Sequence, residues 1–404
     1  MRYVLQDAAV RVSAAALRPQ WGWVAAASAV ALTLLGITAI QTVSPVYAAR
    51  QQQWLWIAAG SLVVALTPRP RTVARCAYAG FAVCLLLLLL LLLPGVPDRL
   101  TPRIKGVRQW IDLGFMNFQP SEAAKVFAVL SLAWYLRFRD SHRTLLGLCV
   151  PFAIMLVPVA LILQQPDLGM SLLYAPTLFA MLVAAGAKLR HLGGLVAIAA
   201  GVAVLNVALI LGGPDWAQVL RPHQVNRIRS MAALATGDDR FNQTTAYQQR
   251  EAMTLVSAGG GSGLGGALAH EVLQTRPLPE AHNDMIFAVV VHRWGARGGT
   301  IVLLLYAGLV LGCLAVAARS RDPVGRLACV GFATLYATQA GIVTAMTVGL
   351  LPITGLTLPF MSYGGSSLLV NYLTLGLVLN FGAAEPRRLA RPSFEFDARA
   401  TLYQ

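Results

Sequence analysis

One polar segment of the chain combines the residue types that proton-transfer chemistry needs with an unusual position. Residues 279–287 read Pro-Glu-Ala-His-Asn-Asp-Met-Ile-Phe, so the carboxylate of Asp284 stands where charged sequence runs into apolar sequence. A carboxylate at such a boundary is poorly solvated and therefore costly, which makes it a candidate for function. Within reach of a hydroxyl it would act as a general base. The alternative is that Asp284 caps a helix that opens at Met285, because aspartate is a favoured N-cap residue.

The elements that must position this carboxylate are membrane-spanning helices. Hydrophobic residues make up 57% of the 404 residues and charged residues only 12%, whereas a soluble domain carries about 25% charge. A hydrocarbon core of roughly 30 Å is crossed by about 20 helical residues, and continuous apolar runs indicate helices rather than a barrel. The sequence therefore predicts an all-α polytopic membrane protein with about ten spans, near residues 22–41, 53–67, 76–93, 121–136, 145–164, 168–186, 192–213, 299–318, 327–350 and 364–382.

The net charge of +15 is explained mostly by membrane topology. With the N-terminus in the cytoplasm, every short cytoplasmic segment holds two to four Lys or Arg residues, which is the positive-inside pattern and predicts that both termini are cytoplasmic. Nucleic acid is therefore not an expected partner. The five cysteines lie in or beside apolar runs and show no disulfide or zinc-like spacing. We expect residues 1–404 to form one membrane domain.

Three outer segments depart from a simple bundle of helices. The segments at 94–118 and 214–283 carry basic residues that topology does not require, and these either face anionic lipid headgroups or bind a phosphorylated ligand. The loop at 214–283, between spans seven and eight, is long enough to be functional or disordered, and its aromatic, apolar and glycine content favours an ordered loop. Its glycine run at 257–265 could form a backbone nest for an anion. With the glycine- and proline-rich segment at 349–367, these segments are predicted to line one outward-facing cavity, where exposed backbone groups can be satisfied.

Five short motifs follow one another along the chain. The first spans residues 106–125 and contains Trp-Ile-Asp-Leu-Gly, Phe-Gln-Pro-Ser-Glu and Lys125, and the second is Gln-Pro-Asp-Leu-Gly at 165–169. The glycine run, residues 279–287 and a segment from Pro352 to Ser366 complete the set. In this order, and over essentially the whole chain, they resemble the SEDS family (shape, elongation, division and sporulation), typified by RodA and FtsW. Gln165 and the short tails lean towards the RodA branch.

The resemblance implies a peptidoglycan glycosyltransferase in the cytoplasmic membrane of a bacterium, which joins lipid II disaccharides at the outer face for cell shape or division. It maps the family's essential aspartate onto Asp284. The expected mechanism is removal of the acceptor 4-hydroxyl proton by Asp284 and inverting displacement of undecaprenyl pyrophosphate. A class B penicillin-binding protein is the expected partner. No cofactor is demanded, although a divalent cation (Mg²⁺ or Mn²⁺) bridging the pyrophosphate is an option.

The residues predicted to bind substrate lie in these motifs and in the neighbouring outer loops. They are Lys105, Arg108, Glu122, Lys125, Asp167, Arg221, Arg227, His282, Ser362, Gly364, Gly365 and Ser366. The basic residues among them would stabilise the departing pyrophosphate. Several have a structural alternative. Asp167 could be the N-cap of an apolar helix, Glu122 and Lys125 could pair one helical turn apart, and the serine and glycine residues at 362–366 could serve only to shape the backbone.

The chain departs from the family pattern at two places. Gln109 stands immediately before the tryptophan of the first motif, where the family commonly has arginine. His292 and Arg293 stand where the family usually has an acidic pair, which reverses the charge near Asp284. Two rival functions remain open at this stage, a flippase for the lipid-linked precursor and a non-catalytic scaffold for the penicillin-binding partner. A flippase would hold its ionisable groups near the bilayer midplane, and a scaffold would tolerate Asp284→Asn.

Overall fold

Helices dominate the computed structural model, which describes residues 20–104, 106–212, 225–226, 228–229, 232 and 245–383. The strands within these ranges form two short antiparallel hairpins, Arg103–Ile104 (β1) with Val107–Arg108 (β2) and Ile111–Asp112 (β3) with Asn117–Phe118 (β4). The predicted all-α polytopic fold class is confirmed. That residues 1–404 form a single domain stays a prediction.

The long helices coincide with the predicted spans. In chain order the helices are Gly22–Val43 (α1), Pro45–Leu66 (α2), Pro70–Leu92 (α3), Pro120–Leu136 (α4), Cys149–Gln164 (α5), Leu168–Leu172 (α6), Tyr174–Ala184 (α7), Leu189–Gly212 (α8), Thr245–Gly259 (α9), Gly266–Thr275 (α10), Ile286–Arg319 (α11), Pro323–Thr347 (α12) and Gly365–Ala383 (α13). Short 3₁₀ turns at Ser141–Arg143 and Leu146–Leu148 precede α5. Proline begins α2, α3, α4 and α12, because the first helical position needs no backbone donor.

Three of the predicted spans are shorter or more polar than a typical membrane helix. By length and composition, 7 helical segments of the described chain are apolar enough to cross a membrane: α1, α3, Leu146–Gln164, α8, α11, α12 and α13. The others are α2, whose first half contains Arg50 and three glutamines, α4, which has 17 residues, and the α6–α7 pair. Gln51 of α2 and Glu122 of α4 are buried. These two polar side chains therefore face protein rather than lipid, whereas Arg50, Gln52 and Gln53 are exposed.

The eighth span begins earlier than predicted. The prediction placed its start at residue 299, whereas α11 begins at Ile286 and is broken at Gly295, which has φ 69°. Only glycine adopts this conformation without strain. Residues 286–291, at the start of this stretch, are apolar and buried, so α11 starts inside the protein and not at a lipid boundary. Asp284 consequently lies two residues before a helix.

Small residues allow the helices to approach one another closely. A Cβ at Gly312 of α11 would lie 2.6 Å from the backbone nitrogen of Ala25 in α1, and one at Gly376 of α13 would lie 2.6 Å from the carbonyl oxygen of Leu62 in α2. Such contacts hold membrane helices together, because lipid offers no hydrophobic drive for their association. The pairs α1–α11 and α2–α13 thereby form the frame that carries the outer segments. The described part of the predicted 214–283 loop contains α9 and α10.

Candidate active site

Asp284 lies in a tight turn that leads into α11. The backbone N–H of Asn283 donates to the carbonyl of Glu280 at 3.0 Å, and the Asn283 amide donates to the Glu280 carboxylate at 2.8 Å. Glu280 has φ 55°, a conformation that non-glycine residues rarely adopt. Met285 occupies the N-cap position of α11, so the prediction that Asp284 caps a helix opening at Met285 is wrong. The half-buried Asp284 instead belongs to the turn.

The serine-glycine segment, residues 362–366, holds this turn in place by hydrogen bonds. The Ser362 hydroxyl donates to the carbonyl of Asn283 at 2.6 Å and accepts the backbone N–H of Leu358 at 2.7 Å. The backbone N–H of Tyr363 donates to the carbonyl of His282 at 2.9 Å. Asn283 and His282 directly precede Asp284. The residues flanking the carboxylate are therefore held by hydrogen bonds to a segment far away in sequence.

Gln51 of α2, which no sequence motif indicated, holds the serine-glycine segment by hydrogen bonds. Its side chain is fully buried. The amide nitrogen donates to the carbonyl of Ser362 at 3.0 Å, and the amide oxygen accepts the N–H of Gly364 at 3.2 Å. Both ends of the amide are used to fix one turn of backbone. The polar start of α2 was the only signal that could have indicated this role.

An aromatic cluster lies beside the same turn. The rings of Tyr47 and His282 stack with centroids 4.5 Å apart, and Tyr363 lies 4.9 Å from Tyr47 and 5.8 Å from His282. The predicted site residue His282 is thereby part of a three-ring cluster contributed by α2, the Asp284 turn and the serine-glycine segment. Tyr47 and Tyr363 were not predicted. Residues that are distant in sequence therefore meet in this cluster, two positions before Asp284.

The Gln-Pro-Asp-Leu-Gly motif packs against the segment that passes Asp284. A Cβ at Gly169 would lie 2.7 Å from the carbonyl oxygen of Thr354, and one at Gly355 would lie 3.8 Å from a carboxylate oxygen of Asp284. Asp167 accepts the backbone N–H of Met170 at 3.0 Å, which confirms the alternative that it is a helix N-cap. The motif is close to the site, but this oxygen of the Asp167 carboxylate accepts a hydrogen bond from the first turn of α6.

The first motif joins the site through α4. The backbone N–H of Gln119 donates to the Ser366 hydroxyl at 3.0 Å. Lys125 pairs with Glu122 at 2.7 Å, and both side chains are almost fully buried, which confirms the predicted pairing. Lys125 also donates to Gln339 of α12 at 3.2 Å. Gln339 in turn donates to the carbonyl of Thr357 at 2.8 Å, so the buried pair is connected to the segment that fastens the Asp284 turn.

Gln109, the residue that departs from the family pattern, has a structural partner. Its amide donates to the carbonyl of Gln165 at 2.8 Å, and the Gln165 amide donates to the carbonyl of Leu88 in α3 at 3.0 Å. The first two motifs are thereby joined without the arginine that the family commonly places here. A neutral amide suffices because the partner is a backbone carbonyl.

Some of the outer basic residues lie on the first hairpin, and the others lie outside the residues that the structure describes. Arg108 pairs with Asp98 at 2.6 Å, and Arg103 lies 3.6 Å from the same carboxylate oxygen. Two guanidinium groups share one carboxylate here, which leaves net positive charge on the first hairpin. The predicted substrate-binding residues Lys105, Arg221 and Arg227 lie outside the residues that the structure describes.

Three backbone N–H groups of the glycine run are used within the protein and cannot form the predicted anion nest. The backbone N–H groups of Gly263, Leu264 and Gly265 donate to the carbonyls of Gly259, His292 and Arg293, at 2.8, 3.0 and 3.1 Å. A Cβ at Gly263 would lie 2.3 Å from the carbonyl oxygen of Arg293. The nest prediction is therefore wrong for these donors. At Gly259 and Gly263 glycine is needed because α11 passes too close for a side chain.

His292 and Arg293 connect α11 to α9 and α1, close to the glycine run. His292 is fully buried, and its Nδ1 lies 3.2 Å from the carbonyl oxygen of Leu255 in α9. Arg293 donates to the carbonyl of Thr38 and the hydroxyl of Thr42 in α1, both at 2.7 Å. That these residues reverse the charge near Asp284 stays a prediction. Their side chains connect α11 to its neighbours.

A metal site built from protein side chains alone is not found in the described part of the chain, where no three His, Cys, Asp or Glu residues cluster suitably. Glu280 and Asp284 are the two carboxylates on the turn. A cation held partly by phosphate oxygens of a substrate requires only one or two protein carboxylates. The residues present are therefore compatible with such a cation.

Comparisons with known proteins match nearly the whole chain. A family model described as a cell cycle protein family, of FtsW, RodA and SpoVE type, matches residues 14–386. A probable peptidoglycan glycosyltransferase FtsW from Alkalilimnicola ehrlichii is 33% identical over 334 residues, covering 78% of this chain and 77% of that protein. Its counterpart from Geobacter sulfurreducens is 32% identical over 365 residues, covering 87% of this chain and 92% of the relative.

Solved structures have the same fold. One chain of a peptidoglycan synthase complex that coordinates polymerisation and crosslinking is 29% identical, with a TM-score of 0.72 and coverage of 88% of this chain and 96% of that chain. The rod shape determining protein RodA of Thermus thermophilus is 28% identical, with a TM-score of 0.63 and coverage of 90% and 96%. Sequence and structural similarity therefore extend over the helices and over the outer segments that meet at Asp284.

Proposed function

The chain belongs to the FtsW, RodA and SpoVE family of cell cycle proteins, and from this premise we propose that it polymerises lipid II into glycan strands at the outer face of the bacterial cytoplasmic membrane. It is a peptidoglycan glycosyltransferase of cell-wall synthesis, as its relatives are named. The observation that carries the choice of site is the meeting of distant motifs at one half-buried carboxylate, Asp284. In this orientation both termini are cytoplasmic, as the positive-inside pattern indicates.

Asp284 is the general base in this proposal. It takes the proton from the 4-hydroxyl of the acceptor sugar, and the resulting oxygen attacks the anomeric carbon of the donor. The bond from that carbon to the pyrophosphate oxygen breaks, so undecaprenyl pyrophosphate leaves with the bonding electron pair. Direct displacement inverts the anomeric configuration. The hydrogen bonds to His282 and Asn283 serve to keep the carboxylate in one position, which proton transfer requires.

The departing pyrophosphate needs positive charge near it. Arg108 and Arg103 supply it in this proposal, because together they exceed the single carboxylate of Asp98 that they share. Lys105, Arg221 and Arg227 remain proposed contributors from the same outer side. Lys125 is buried against Glu122, so its role is to position the outer segments through Gln339. The ring cluster of Tyr47, His282 and Tyr363 is the proposed platform for a sugar.

A divalent cation fits this site as an auxiliary group. When bound, Mg²⁺ or Mn²⁺ would neutralise charge on the pyrophosphate, with Glu280 or Asp284 as its nearest protein ligand. A class B penicillin-binding protein is the proposed partner, which agrees with the similarity to a chain of a peptidoglycan synthase complex. Whether the chain serves elongation or division stays a prediction. The named relatives are FtsW proteins, whereas a RodA is among the structural neighbours.

The test is polymerisation of purified lipid II by wild type and Asp284→Asn, each with and without a cognate class B penicillin-binding protein. We expect glycan strands from wild type and none from the variant at equal folded yield. Glu271→Gln serves as the matched control, because it neutralises an exposed carboxylate of α10 that has no role in this mechanism and should retain most activity. Equal product from wild type and Asp284→Asn would remove Asp284 from the mechanism. No product from either, even with the partner, would favour the flippase or the scaffold.

A further inference from the structure

A pocket of arginine and aromatic side chains lies at the end of α4 that points away from Asp284. It has a volume of about 220 Å³ and is lined by Tyr78, Trp134, Tyr135, Arg137, Phe138 and Arg139. The opposite end of α4 contacts Ser366 at the candidate active site. The pocket therefore opens at the other face of the membrane, which the proposed orientation makes the cytoplasmic face. The polymerase mechanism does not use it.

Both guanidinium groups of this pocket lie over aromatic rings. The Arg137 Cζ lies 3.1 Å from the ring centroid of Trp134 and 5.0 Å from that of Phe138, and the Arg139 Cζ lies 4.3 Å from the centroid of Tyr135. A guanidinium that stacks by its face keeps its N–H donors available at the edge. Two such groups lining one pocket are suited to a phosphate, whose oxygens accept several hydrogen bonds at once.

The charge of these two arginines is not neutralised by carboxylates within the described ranges. The ion pair that the structure shows in this segment joins Arg143 to Asp140 at 3.9 Å, with both side chains more than half exposed. Arg137 and Arg139 have no ion pair at 4 Å or less to any described residue. The positive-inside pattern alone would require charge here, but it would require neither a pocket nor guanidinium groups placed over rings.

We propose that this pocket binds the phosphate of an anionic phospholipid in the leaflet opposite the active site. The surrounding surface favours a lipid over a soluble phosphate, because Phe138 is 77% exposed and Tyr78 is 42% exposed at the point where α4 ends. Aromatic side chains at this depth contact the boundary between headgroups and acyl chains. The pocket thus offers cations to a headgroup and rings to the chains attached to it. Basic pockets between membrane helices bind anionic headgroups in this manner.

Native mass spectrometry of the purified, delipidated full chain tests the proposal. The protein is titrated with phosphatidylglycerol and, in parallel, with zwitterionic phosphatidylcholine. Each guanidinium near a membrane surface contributes an attraction equivalent to about fivefold in affinity. We therefore expect Arg139→Gln to weaken phosphatidylglycerol binding about fivefold and Arg137→Gln combined with Arg139→Gln to weaken it about thirtyfold. Phosphatidylcholine binding should change little.

Arg143→Gln is the matched control, because this residue lies in the same short segment but does not line the pocket. It should leave phosphatidylglycerol binding unchanged. Wild-type affinity in the double variant would overturn the proposal, and so would an equal loss in Arg143→Gln, which would mean diffuse attraction. Displacement of the lipid by glycerol phosphate at equal concentration would overturn the choice of a lipid. If the double variant does not fold, the single change at the exposed Arg139 decides the outcome.

Discussion

Removal of the Ser362 hydroxyl should show how much catalysis depends on where the Asp284 carboxylate is held, because the carboxylate itself is unchanged. Ser362 is buried, and its hydroxyl joins the carbonyl of Asn283 to the N–H of Leu358 with distances of 2.6 and 2.7 Å. Ser362→Ala removes both hydrogen bonds and leaves Asp284 itself unchanged. It therefore tests whether the fastening of the turn matters for catalysis.

The expected magnitude follows from the two backbone groups left behind. A buried polar group without its partner costs about 1–3 kcal/mol, so the altered turn would carry about 2–6 kcal/mol if it stayed in place. The turn is only half-buried, and we expect it to shift towards water instead. A displacement of about 1 Å at a catalytic group reduces rates roughly a hundredfold. That reduction corresponds to about 2.7 kcal/mol in the activation free energy.

The assay is glycan polymerisation at several lipid II concentrations, with folding followed by thermal unfolding in detergent. Ser362→Ala should lower kcat roughly a hundredfold and change KM much less, because substrate contacts are retained. Ser367→Ala is the matched control. The Ser367 hydroxyl accepts from Asn371 at 3.2 Å, one turn further along α13, so its loss should leave kcat unchanged. Wild-type kcat in folded Ser362→Ala would refute the reasoning, and so would an equal loss in Ser367→Ala.

Two further predictions concern stability. Lys125→Met leaves the buried Glu122 unpaired and should lower the free energy of unfolding by about 3–5 kcal/mol. Adding Glu122→Gln should recover most of the loss. Thermal unfolding of the single and the double variant checks this, and equal instability of the two would contradict it. Gly263→Ala should destabilise the protein more than Gly260→Ala. Both glycines have positive φ, but only at Gly263 would the new Cβ meet backbone, at 2.3 Å, whereas nothing lies within 4 Å at Gly260. Equal melting temperatures for these two variants would mean that the close approach is not what requires glycine.

Local spacing was enough for several features of the site. Asp167 caps α6 and Glu122 pairs with Lys125 because both interactions join residues within one helical turn. The position of Asp284 before an apolar helix was visible for a similar reason. The predicted start of that helix is too late, because residues 286–298 include Arg293 and Arg297, and a search for continuous apolar sequence excludes such charged positions.

Long-range partners could not be predicted in this way. Gln51 and Ser362 are separated by 311 positions, and no sequence pattern connects residues that far apart. The glycine run was interpreted as an anion nest, since glycine also permits that conformation. Its actual role depends on α11 passing within contact distance of its backbone. The partners of Gln109, His292 and Arg293 are likewise backbone groups or side chains on other helices.

The sequence by itself determined that the chain forms membrane helices. Backbone inside the bilayer must satisfy its own hydrogen bonds, which it does only in a helix or a closed barrel, and the continuous apolar runs exclude the barrel. It also determined which carboxylate stands at the entrance to the eighth span. Only the tertiary structure decided what holds that carboxylate. Helix packing sets which distant backbone groups come within hydrogen-bond distance, and this packing arises from the fit of many small residues together. No single motif encodes that fit.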